Sequence, residues 1–205
     1  MLAILAALLV LAAAVALPFV VGDDREVASD GAVDLSDVRV YDDLEASHQT
    51  GDIDYPQTPP AGGPHAPVWL DCGVYDEAVR DENAVHDLEH GTVWIAYRPG
   101  LDATDVDALT DLLPQNGILS PYDELDAPVV VTVWGRQLAL TGADDPRLPL
   151  FIDTFGGGET APEPFASCAG GVTDPEGGQP GTSVSWVPAM SPWRHGLGDE
   201  AVSDG

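Results

Sequence analysis

Lysine is absent from this 205-residue chain: all seven basic residues are arginines, set against 35 Asp and Glu, for a formal net charge of −28. That balance excludes nucleic acid as a partner, because phosphates would be repelled rather than neutralised, and it excludes charge-driven binding to anionic lipid headgroups. No Gly-rich phosphate-cradling loop follows a strand pattern, and no internal repeat is evident. Cysteine and methionine are scarce, with two residues each. The acidic excess reads as a solvated surface of the halophilic kind, which keeps a chain soluble. The sharper reading is a surface that collects cations.

The one long apolar run is LAILAALLVLAAAVALPFVV, residues 2–21, uncharged and long enough to span a bilayer. Ala14-Val15-Ala16 would suit signal-peptide cleavage, but the run continues through Pro18 to Val21. Residues 1–22 are therefore read as a transmembrane anchor or signal segment, with the anchor favoured. No Lys or Arg precedes the run, and the first downstream, Arg25, is flanked by Asp23, Asp24 and Glu26. With so little positive charge to retain the C-terminal part, the domain is expected outside the cytoplasm, on a single-pass protein of the cell membrane. It would touch the membrane through the N-terminal helix only. Two cysteines in that compartment, Cys72 and Cys168, point to a disulfide. The rival reading has one or both sulfurs bind metal with the histidines, and a Cys72 nucleophile is weaker still.

Residues 23–56 are acidic and poor in large apolar side chains, an acidic linker and early wrapping in which VRVYDDL offers an edge strand. YPQTPPAGGPHAPVW, residues 55–69, is a proline and glycine loop that places His65. A globular domain is expected over residues 57–171. Its first helix would be N-capped by Asp76 and ended by Gly91. TVWIAY follows as a strand with Val93, Ile95 and Tyr97 on one face. Thr104 caps a second helix, with Val106, Leu109 and Leu113 sharing a face before Pro114. Two strands then meet in a turn at Gly135-Arg136. Asp145 caps a last helix with Pro146 at its first position and a stripe of Leu148, Ile152 and Phe155. Residues 172–205 read as a disordered acidic Gly/Pro tail. This order suggests an α+β fold: a small, largely antiparallel sheet with helices on one face, a ferredoxin-like variant being the first guess.

Within AVHDLEHGTVWIAY, residues 84–97, His86, Glu89 and His90 spell H-x-x-E-H. On a helix His86 and His90 lie one turn apart and Glu89 shares their stripe, so two imidazoles meet a cation from one side. In zinc peptidases with this spacing the histidines bind metal and the glutamate polarises a water. A third ligand must then come from elsewhere, with Glu124, Glu159 and Glu163 as nominees. The bland alternative makes His90 a partner of the negative helix end and His86 a hydrogen-bonded surface residue. Scarcity favours metal: the five histidines are His48, His65, His86, His90 and His195. Met190 and His195, in AMSPWRH, offer a weaker copper site. Ser120 and Ser167 lack a nucleophile-elbow context, and Trp69, Trp94 and Trp134 read as core.

Four stretches in order, YPQTPPAGGPHAPVWLDCGVY, VHDLEHGTVWIAYRP, LSPYDELDAPVVVTVWGRQL and DDPRLPLFI…APEPFASCAGG, resemble the bacterial and archaeal domain-of-unknown-function family 3105, over roughly residues 45–171. The family is commonly preceded by a membrane segment and carries no established activity. Its proline loop typically reads P-P-T-S-G-P-H; here Ala61 and Gly62 replace the Thr and Ser, which counts against a loop hydroxyl but leaves His65. The resemblance implies that His48, like Cys72 and Cys168, aligns with a family residue, placing the histidines and the cysteine pair in one domain. It also counts against the peptidase. The expected function is a membrane-anchored extracytoplasmic domain that binds zinc or copper through His86 and His90, with His65, His48 and Glu89 as further candidates; Glu89 ligates or orients an imidazole. The alternatives are a non-catalytic cell-envelope interaction module with structural histidines, and a metal-dependent hydrolase in which Glu89 is catalytic. A non-enzyme is favoured.

Overall fold

The runs richest in β-branched and aromatic residues, Val93–Tyr97 and Val129–Val133, form the middle of a six-stranded sheet. The computed structural model describes residues 33–178; those from Asp37 onward form one compact unit, and residues 33–36 fall in another. In chain order the elements are β1 (Arg39–Val40), β2 (Gly73–Val74), α1 (Asp81–Glu89), β3 (Val93–Tyr97), α2 (Ala103–Leu112), β4 (Gly117–Pro121), β5 (Val129–Val133), β6 (Arg136–Leu140) and α3 (Arg147–Phe155). Across the sheet they run β1-β6-β5-β3-β4-β2. β1, β6, β5 and β3 pair antiparallel, whereas β3, β4 and β2 pair in parallel.

The fold is α+β, but the sheet is mixed rather than largely antiparallel. The difference comes from β4 and the two-residue β2, which the sequence pattern does not reveal. GILSP is buried at all five positions, so it shows no polar alternation, and its terminal proline argues against a strand. Because β3 and β4 are adjacent, no strand splits the β3-α2-β4 unit as a ferredoxin-like arrangement requires.

Both faces of the central strands are covered, since every residue of β3, β4 and β5 is buried. On one face Trp94, Ala96, Ile118 and Val130 join Ala84, Val85 and Leu88 of α1 in a single cluster. On the other lie Val93, Ile95, Leu119 and Val131, and the end of α3 at Gly156 comes up against Val93. The helices therefore do not share one face. Buried Ser120 accepts a 3.0 Å hydrogen bond from Trp94 Nε1, a structural use of that hydroxyl.

Several boundaries differ from expectation for identifiable reasons. α1 begins at Asp81, not after Asp76, because residues 73–75 still run as an edge: Tyr75 N donates to the Leu119 carbonyl. α2 begins at Ala103 after Asp102, so Thr104 lies inside it. The hairpin pairs Val133 with Arg136, which makes Trp134-Gly135 the turn. Gly135 has φ +70°, and a Cβ there would lie 2.8 Å from the Tyr41 carbonyl oxygen, so glycine is required. In α3 Leu148 is buried as expected, but Phe151 joins it, while Ile152 and Phe155 are only half-buried. Asp145 does cap that helix in effect, accepting from Arg147 N and Thr141 N.

Arg39–Val40 supplies the edge strand foreseen in VRVYDDL. Val172 bridges to Leu70, and the Pro175 carbonyl accepts from Arg80 N. The apolar run at 2–21, the expected anchor at 1–22, and Met190 and His195 lie outside the described residues. Among the described residues no helix is long and apolar enough to cross a membrane.

Candidate metal centre

The H-x-x-E-H helix ends as its sequence dictates. Gly91, with φ +76°, donates to the Leu88 carbonyl, and Thr92 N donates to that of Asp87, the paired bonds of a Schellman stop. His86, Glu89 and His90 therefore sit on the last turn, all buried. Opposite them the proline loop is held rigidly. Gly62, at φ +135°, packs so closely that a Cβ would lie 2.7 Å from Leu44 Cδ1 and 3.1 Å from the Trp134 ring. Tyr55 donates its hydroxyl to the Pro64 carbonyl, and Ala66 N donates to the Glu82 carbonyl of α1.

His48 arrives from a third segment. It forms a parallel bridge with His65, in which Gln49 N donates to the His65 carbonyl and His65 N to that of Ser47. Three stretches far apart in the chain thus bring His48, His65, His86 and Glu89 together, with one ligand atom of each within 4.8 Å of all the others. His65 is wholly buried, whereas the His48 side chain is 55% exposed.

Carbonyl groups set the tautomers. His65 Nδ1 lies 2.8 Å from the Gly63 oxygen, and His86 Nδ1 lies 2.6 Å from that of Ala66. A carbonyl only accepts, so each Nδ1 carries the hydrogen and each neutral ring turns an Nε2 lone pair into the cluster. The His65 lone pair faces Glu89 Oε2 at 2.9 Å, with His48 and His86 Nε2 at 3.7 and 4.0 Å from the same oxygen. Acceptors facing acceptors call for a cation between them. Bonds of about 2.0–2.1 Å to zinc would set tetrahedral ligands roughly 3.3 Å apart, so these spacings suit a metal after sub-ångström adjustment. Burial pushes the His86 imidazole down to about 4, reinforced by the neighbouring His90 and His65 and opposed by the Ala66 carbonyl, so it stays neutral, the form a metal would need.

His90 stands outside this four-membered set. Its Nε2 lies 3.2 Å from that of His86 and 3.6 Å from Glu163 Oε2, and its Nδ1 lies 3.3 Å from the Ser167 carbonyl. Of the acidic nominees only Glu163 approaches; Glu159 borders a separate cleft beside Tyr41 and Arg136, and Glu124 sits at φ +63° beyond β4.

Cys72 and Cys168 are joined in a disulfide with an S–S distance of 1.96 Å, so neither sulfur is a ligand or a nucleophile. The bridge carries the segment that meets His90. Two residues that the sequence does not flag support it. Trp69 is not simply core: half-buried, it packs its ring 5.5 and 5.2 Å from those of His86 and His90 and donates Nε1–H to the Cys168 carbonyl. Asn116 accepts from Cys168 N and Thr92 Oγ1 and donates to the His90 carbonyl. Nothing in PQNG marks that role.

A family model described as "Protein of unknown function (DUF3105)" matches residues 47–170, more than half of the chain and all of the histidine cluster. Comparison with curated proteins and with solved structures returns no match.

Proposed function

The chain belongs to the DUF3105 family, whose description names no activity, and from the geometry of its histidines we propose that it is a metal-binding domain. The ligands are His65, His86, Glu89 and His48, and the ion is zinc or copper(II). The observation that carries this is the alignment of the His65 Nε2 lone pair with a Glu89 oxygen at 2.9 Å while Nδ1 is committed to a carbonyl. Imidazole and carboxylate suit those two ions, and with both sulfurs in a disulfide no thiolate is on offer to select copper(I). Nδ1–carbonyl bonds are also the usual device for orienting metal-binding histidines.

The hydrolase reading has less support. It needs the two helix histidines on the metal in its resting position and the glutamate free for water, whereas in the four-membered set Glu89 is a ligand and His90 is not. The domain is proposed to work outside the cytoplasm on a membrane tether; the apolar run at 2–21 and the Cys72–Cys168 bridge support that placement. Carbonate extraction of membranes tests the tether, and release of the intact chain would count against it.

Elemental analysis of untagged protein should find near-stoichiometric zinc or copper, lost when His65 and His86 are replaced by alanine. Metal-free protein whose melting temperature ignores zinc, copper and chelator would instead favour an interaction module with structural histidines.

A further inference from the structure

His90 and Glu163 are left over by the four-ligand set, yet they are built onto it. The His90 ring is oriented as the ligand rings are, with Nδ1 toward a carbonyl, here that of Ser167, and Nε2 toward its neighbours. Two lone pairs, on His86 and His90, then face one another at 3.2 Å, close to the ligand separation a tetrahedral ion imposes. Glu163 Oε2 lies 3.6 Å from His90 Nε2, and its side chain is 59% exposed where those of His86 and His90 are 5% and 9%. The backbone holds it there: Glu163 N donates to the Glu89 carbonyl.

We propose that His86, His90 and Glu163 form an outer position for the same ion, with His86 shared between it and the inner position of His48, His65 and Glu89. The inference rests on the metal reading above. His86 Nε2 has one lone pair and cannot serve two ions, so the positions are alternatives. An ion collected by the exposed carboxylate is held by His90 and His86, and passes inward when Glu89 and His65 replace Glu163 and His90. His86 keeps hold throughout, so the ion is not released to water during the exchange. The exposed Glu163 carboxylate also raises the local cation concentration and hence the capture rate.

The test is stopped-flow loading of the metal-free full-length protein with cobalt(II), followed by its visible absorption, with the equilibrium stoichiometry measured alongside. Wild type should take up one equivalent. Glu163→Gln, on an exposed side chain that threatens no packing, should reach the same endpoint but load roughly tenfold more slowly, and His90→Gln should behave likewise. Loading rates equal to wild type in both variants would overturn the proposal. So would loss of the equilibrium equivalent in either, because the outer groups would then belong to the only position, and so would two equivalents of tetrahedral cobalt in wild type. A wild type that takes up no cobalt, in contrast, would sink the metal reading itself and this inference with it.

Discussion

His65 and Glu89 are separated by 24 residues, yet their Nε2 and Oε2 atoms lie 2.9 Å apart in the interior, with the imidazole hydrogen committed to the Gly63 carbonyl. Without metal two acceptor atoms face each other there. Glu89→Gln supplies an N–H at that point, so the metal-free variant should melt at or above wild type at neutral pH. The same change removes the only anionic ligand of the proposed inner position. Its affinity for zinc should fall by more than the roughly 10- to 100-fold that losing a group behind a metal ligand costs. Calorimetric melting with and without zinc checks both; a metal-induced shift as large as wild type's would show that Glu89 is no ligand.

Burial raises the Asp81 carboxyl from 3.8 to about 6, against the opposing hydrogen bond from Tyr122 and with help from the Glu82 charge. The folded state therefore holds this proton more tightly than the unfolded one. Asp81 contributes nothing adverse below about pH 4, costs stability as pH rises toward 6, and the penalty levels off above that at up to about 3 kcal/mol. Asp81→Asn should flatten this window and raise stability at neutral pH while still accepting from Tyr122. Urea unfolding at about pH 4 and about pH 7 decides it; an unchanged pH slope would refute the assignment.

The Cys72–Cys168 bridge closes a loop with a sequence separation of 96 and fastens the chain whose Ser167 carbonyl orients His90. Replacing both cysteines by serine should cost about 4–5 kcal/mol in the chain-entropy account. It should also loosen the His90–Glu163 limb more than the inner ligands, which shows as faster cobalt exchange at nearly unchanged stoichiometry.

Asp145 is fixed by Arg147, by its own position before α3 and by Thr141. Those partners hold its carboxyl well below the usual range. Its contribution is present above the ordinary aspartate pKa and disappears as pH falls through the depressed value. Asp145→Ala should destabilise by about 1–2 kcal/mol through the lost cap, read as a lower urea midpoint with unchanged slope.

A surface carrying a net charge of −28 repels itself. Folding stability should therefore rise between low and about molar salt as the Debye length shrinks to about 3 Å. Stability indifferent to salt would remove the halophilic reading.

The local signals in the sequence proved readable where one residue type decides geometry. Gly91 ends α1, Gly135 belongs to the hairpin, Asp145 precedes α3, and two cysteines in one chain pair with each other. The tertiary signals were not. β4 is hidden because burial on both faces erases alternation, and with it went the parallel half of the sheet. His86 and Glu89 could be placed on one helix stripe from spacing alone, but nothing local shows that the carboxylate turns toward the loop histidine instead of a water. His48 enters through a two-residue bridge, too short to leave any periodic mark, and only the family likeness pointed to it.

Gly91 faces Gly158 so closely that a Cβ on the first would lie 2.9 Å from the Cα of the second. Main chain meets main chain there, five residues before Glu163 and one after His90. A contact of that kind has no rotamers to take up slack, so it acts as a mechanical stop between the end of α1 and the chain that returns to Cys168. Enlarging Gly91 would shift the returning segment as a body and widen the gap between His90 and Glu163, with both of those side chains left intact.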